Sequence, residues 1–166
     1  MRTIAITATL FLLFAGTVSS QQGADVLTTS DPTQAFLFTA SAVASQAADL
    51  DAGVAYANTT VLERADPDSP TGLAYRLAVD RRKPPQRAAS HTNEAELWSI
   101  VEGSGAITTD GTIVETIENG ETVRRIEGGT VHRVSAGDYL VIPEGVPHQV
   151  TDFDPSLLIV TFEFPR

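Results

Sequence analysis

Residues 103–147 read GSGAITTDGTIVETIENGETVRRIEGGTVHRVSAGDYLVIPEGVP. Turn chemistry recurs through this stretch at nearly even intervals: Gly103–Gly105, Asp110-Gly111, Asn119-Gly120, Gly128-Gly129, Ala136-Gly137 and Pro143–Pro147. Asp-Gly and Asn-Gly pairs make tight hairpin turns because both central residues tolerate positive φ. Short strands between turns spaced in this way predict a sandwich or a barrel. The reading extends in both directions. Leu157 to Phe164 is rich in β-branched and aromatic residues and predicts a closing strand. Upstream, Tyr56–Leu62 and Leu73–Val79 predict two more strands around the loop of residues 65–72.

The period changes before residue 54. Asp31-Pro32 reads as a helix cap followed by Pro at the first helical position. Phe36, Ala40, Val43, Ala47 and Leu50 then repeat at helical spacing. Asp51-Ala52-Gly53 ends the pattern, with Gly53 as a left-handed cap. One amphipathic helix packed outside a sheet is expected. Residues 21–30 are small and polar and read as a leader. At the start, Arg2 precedes an almost uncharged run from Ile4 to Val18, closed by Ser19 and Ser20. That is the pattern of a secretory signal with cleavage after Ser20. The run is short for spanning about 30 Å of hydrocarbon, so no membrane span is expected once it is cleaved. The expected organisation is a signal over 1–20, a leader and helix over 21–54, and one barrel over 55–166. A secreted or periplasmic location follows, and only there would the sequon Asn58-Thr59-Thr60 matter.

Composition narrows the chemistry. The 166 residues carry 11 Lys and Arg against 21 Asp and Glu, a net charge of −10 that repels phosphate backbones. No nucleic-acid partner is expected. There is no Cys, which excludes disulfides, thiolate metal sites and a Cys nucleophile. Imidazole chemistry is confined to His91, His132 and His148.

Two segments concentrate the remaining functional residue types. One runs His91-Thr-Asn-Glu-Ala-Glu96-Leu-Trp98-Ser-Ile100 to Gly103; the other runs Gly137 through Pro143, Gly145 and His148 to Asp152. They resemble the two motifs of the cupin family. The second motif, G-x5-P-x-G-x2-H-x3-N, is met at Gly137, Pro143, Gly145 and His148, with Asp152 for the final Asn. The first, G-x5-H-x-H-x3,4-E-x6-G, is met at His91, Glu96 and Gly103. Its leading Gly falls on Lys83 and its first His on Ala89, so both are absent. The resemblance covers residues 55–166. It implies an all-β double-stranded β-helix, a cupin or jelly-roll barrel, with the single helix outside. It also implies pairing into a homodimer.

His91 and Glu96 are five positions apart and would face opposite ways on a straight strand. A turn through Thr92, Asn93 and Glu94 would let them converge from paired strands. With His148 they make a set of two imidazoles and one carboxylate, which leaves coordination positions open. One divalent ion is therefore expected, with Fe, Mn and Zn all compatible. Asn93, Gln149 and His132 are the candidates to replace the missing ligand, and Glu94 stands near as an acid. Trp98 shares the face of Glu96 and either walls a pocket or packs in the core; Ile100 and Gln149 complete the pocket expectation. The function implied is metal-dependent dioxygenase- or isomerase-type chemistry on a small organic molecule. The alternative is a barrel that binds a sugar or other small ligand without catalysis, which the missing His favours. A third is a structural storage- or wall-associated protein.

Overall fold

A computed structural model describes residues 35–50 and 53–166. The export signal, the leader and the Asp31-Pro32 cap lie outside the described residues. One helix, α1 (Ala40–Asp49), precedes eight strands: β1 (Tyr56–Ala65), β2 (Leu73–Arg82), β3 (Glu94–Thr109), β4 (Thr112–Glu118), β5 (Glu121–Glu127), β6 (Thr130–Ser135), β7 (Tyr139–Ile142) and β8 (His148–Pro165). The larger sheet has the order β1-β2-β8-β3-β6, with β7 also on β3, and β4-β5 forms a separate hairpin. Every pairing is antiparallel. Among the described residues the fold is an all-β jelly-roll with a single helix.

Two expectations for the turns fail: Asp110-Gly111 is a bend between β3 and β4, which do not pair with each other, and not a hairpin; the other lies at Gly103–Gly105. Asn119 (φ 52°) and Gly120 (φ 84°) close the β4-β5 hairpin with two positive φ values. Gly103–Gly105 is not a turn. β3 runs straight through it for 16 residues, with register shifts against β8 on both sides of Glu102. Gly103 has φ 85°, and a Cβ there would overlap the Ser156 carbonyl oxygen. The glycine thus serves a bulge and a close strand approach. This bulge lets β3 and the 18-residue β8 bend together round the barrel.

The helix starts later than its periodicity predicts. Thr39 is the N-cap, accepting from the Ala42 N–H at 3.2 Å, and residues 35–39 are not helical. Phe36 continues the apolar stripe only because it folds back onto the same cluster. Leu50, not Gly53, caps the other end, its N–H on the Ala47 carbonyl.

Strand alternation separates two layers. Outside, Val43 and Ala47 of α1 pack on Leu77, Val79 and Leu158. Inside, Trp98, Ile100, Ile107, Ile142, Val150, Leu157 and Ile159 form a second cluster. β2 and β8 are buried on both faces, which explains their nearly continuous apolar runs.

Candidate metal centre

Three donors from separate elements meet inside this barrel. Glu96 lies in the first half of β3, opposite Ile142 of β7. The Pro143–Pro147 loop joins Ile142 to His148, the first residue of β8. His91 sits just before β3, and this departs from the paired-strand expectation. Residues 92–93 do form a turn, but the segment before it pairs with the start of β8, not with β3. Ala89 and His148 exchange backbone hydrogen bonds at 3.0 and 2.9 Å, and the Gly145 N–H donates to the His91 carbonyl at 2.8 Å. The two motif segments are therefore bonded directly to each other.

The donor atoms of His91, Glu96 and His148 all lie within 4.8 Å of one another. His148 Nε2 is 3.5 Å from Glu96 Oε2, and His91 Nε2 is 3.8 Å from Glu96 Oε1. Two donors bonded at about 2.1 Å to one ion show such separations at angles of roughly 110–130°. The surroundings orient the donors as ligands require. His148 Nδ1 lies 3.2 Å from the Val146 carbonyl, which favours the tautomer whose Nε2 lone pair faces the centre. Trp98 donates its indole N–H to Glu96 Oε2 at 3.0 Å and meets the His148 ring edge-on at 5.3 Å. Two imidazoles and a carboxylate, each held or packed in place, fit one divalent cation.

Burial sets the electrostatics. Glu96 and His148 are nearly inaccessible, whereas the His91 side chain is 41% exposed and marks the mouth. Desolvation pushes the His148 imidazole down to about 4, so it is neutral and free to donate near neutral pH. Desolvation likewise raises the Glu96 carboxyl, with the charges of His91 and Arg82 opposing the shift. Both groups resist charge without a compensating ion.

The other candidates are placed as follows. Trp98 and Ile100 lie on the inner face and belong to the barrel's apolar cluster, with Trp98 also lining the centre. Gln149 does not join the pocket. It follows His148 on the strand and so points the other way. Its side chain accepts from the Ile126 N–H at 3.3 Å and donates to the Gln86 carbonyl at 2.9 Å. His132 bonds Thr109 on β3 at 2.8 Å and stands outside the donor set. Glu94 lies beside the mouth, 3.8 Å from His91 Nδ1.

A second polar group was not anticipated. Asp80, 2% exposed, accepts from Tyr56, from Thr161 at 2.6 Å and from Arg82 at 3.2 Å. Glu163 pairs with Arg76 and sits across from Glu96 in register. The signal was present: Ala78-Val79-Asp80 and Phe162-Glu163-Phe164 place acids at alternate positions in apolar strands. A separate groove of about 860 Å³ lies under α1 on the outer face, lined by Phe38, Val43, Leu77, Tyr139 and Val160 among others.

No protein-family model and no curated protein matches the chain. Solved structures do resemble it. The Cnp3 cupin domain of Schizosaccharomyces pombe has a TM-score of 0.45 at 10% identity, over 71% of this chain and 69% of that one. KdgF from Halomonas sp. has a TM-score of 0.42 at 18% identity, over 70% and 85%. The capsular polysaccharide assembling protein CapF of Staphylococcus aureus has a TM-score of 0.48 at 14% identity, over 70% of this chain and 28% of its own. Among the described residues, strand order, the outer helix and the placement of both motif segments agree with the jelly-roll barrel that the motif resemblance implies.

Proposed function

We propose that this is an exported cupin metalloprotein in which His91, Glu96 and His148 hold one divalent ion, Fe, Mn or Zn, and that it acts on a small organic molecule by dioxygenase- or isomerase-type chemistry. The convergence of the three donors carries this reading. Bound there, the ion supplies Lewis acidity at open coordination positions. The chain's own groups prepare the site. His148 presents a neutral Nε2, Trp98 holds the Glu96 carboxylate, and the inner cluster excludes water behind them. His91, at the mouth, lies where a ligand enters.

Metal analysis of the purified protein tests the proposal. About one ion per chain, lost in His91→Ala and in His148→Ala, supports it. Protein that stays metal-free after reconstitution overturns it in favour of a binding barrel without catalysis, which Ala89 at the motif's first His position favours. Export is read out by the mass of the mature chain, expected to start after Ser20. The homodimer is read out by light scattering.

A further inference from the structure

Arg82 ends β2 on the inner face of the barrel. Its guanidinium carbon lies 4.2 Å from the centre of the Trp98 ring and 5.1 Å from that of Tyr56. Trp98 is the residue that holds Glu96 and abuts His148. A guanidinium laid over aromatic rings is fixed in its plane, and its N–H donors point outward along its edges. Arg82 is thus a fixed cation beside the three donors, and its charge acts on both Glu96 and His148.

Its donors are not used up. Among the described residues, the guanidinium gives one hydrogen bond, from Nη2 to Asp80 Oδ2. Asp80 also accepts from the hydroxyls of Tyr56, on Oδ1, and Thr161, on Oδ2. Among the described residues, the buried Arg82 Nε–H finds no acceptor. A buried donor left unpaired is unfavourable, and a bound acceptor would satisfy it. Planar, two-pronged acceptors match a guanidinium edge best.

We infer that Arg82 is a specificity residue that receives a carboxylate of the substrate, so that the molecule taken into the barrel is a small organic acid. The inference rests on the small-molecule reading of the site and names its substrate class. The carboxylate would meet Arg82 while the rest of the molecule lies towards His91, Glu96 and His148.

Trp98 is the single tryptophan of the chain and touches Arg82, so its fluorescence reports the site directly. Propionate and its neutral isostere propionamide are titrated into the metal-loaded protein and into protein treated with a chelator. The expected result is a saturable Trp98 response to propionate, none to propionamide in the same range, and a loss of propionate affinity of at least tenfold in Arg82→Gln. Arg82→Lys, which keeps the charge but not the fork, should fall between. Should Arg82→Gln fail to fold because Asp80 loses its counter-charge, Asp80→Asn/Arg82→Gln removes both charges and is held to the same tenfold criterion. Equal responses to the two probes, or wild-type propionate affinity without Arg82, overturns the inference. The chelator-treated arm separates the two readings. Arg82-dependent propionate binding that persists there sustains this inference even if no ion is ever found at the histidines.

Discussion

Acidification should expose the burial of His148. The folded imidazole titrates at about 4, against 6.5 when free of the fold. Above pH 6.5 both folded and unfolded chains carry it neutral, and it imposes no pH-dependent penalty. As the pH falls from 6.5 to 4, the unfolded chain takes up a proton that the folded chain refuses. Stability then declines by up to about 1.4 kcal/mol per pH unit. The total is about 3 kcal/mol, complete once the pH passes below the folded value. Glu96 acts in the opposite sense. Burial raises its folded value, so lowering the pH relieves a penalty that the ionised form imposes. Comparing wild type with His148→Gln removes the titrating imidazole while both proteins keep Glu96. Gln preserves a polar side chain and cannot titrate. Urea denaturation in the presence of a chelator, run across this window, gives the two stabilities. The variant should gain on the wild type by about 3 kcal/mol between the two ends. A gap between the proteins that does not change with pH would refute the argument that desolvation holds His148 neutral.

Four further substitutions probe other parts of the structure. Glu96→Gln should lower metal affinity by more than about a hundredfold, measured by competition with a chromogenic chelator, while the metal-free protein loses no stability because a buried charge is removed. Ala89→His should raise metal affinity about tenfold or more: Ala89 and His148 are a hydrogen-bonded cross-strand pair, so their side chains leave the same face. An unchanged affinity by calorimetry would place residue 89 away from the ion. Gly103→Ala should destabilise by about 3 kcal/mol or more, because φ is 85° and the new Cβ meets the Ser156 carbonyl, and a melt within a degree of wild type would contradict that. Thr39→Ala removes the cap of α1 and should lower stability by about 1 kcal/mol in denaturant titrations.

Turn chemistry and strand alternation made much of the barrel legible: Asn119-Gly120 closes its hairpin locally, whereas Asp110-Gly111 takes the same positive φ values at a bend between unpaired strands. Gly103 misled for a physical reason. A positive φ serves a bulge as well as a turn, and only the partner strand at Ser156 decides between them. The helix start was also beyond local reading, because Phe36 packs on the helical stripe without being in the helix. His91, Glu96 and His148 stood out through their match to the two cupin motifs, and the structure brings their donor atoms within 4.8 Å of one another. Arg82 did not stand out, because it is β2 that lays it over Trp98, a juxtaposition that sequence distance hides. Gln149 was misplaced by proximity to His148, although strand alternation already pointed it outward.

The two faces of β2 and β8 differ in a way that packing alone does not explain. Leu77, Val79, Leu158, Val160 and Phe162 point outward and meet α1 or its surroundings. Between them, Arg76, Asp80, Arg82, Thr161 and Glu163 share the inner face with Glu96. Asp80, Glu96 and Glu163 are 2%, 5% and 7% exposed. Replacing buried ion pairs by apolar residues of similar volume is often neutral or stabilising. A barrel selected for stability alone would carry Leu or Val at these positions, as the opposite face of the same strands does. Local departures from the most stable sequence concentrate at functional sites. The outer face is accounted for by the helix it packs against. The charged inner face is accounted for by the ion and the organic acid that the site is proposed to hold.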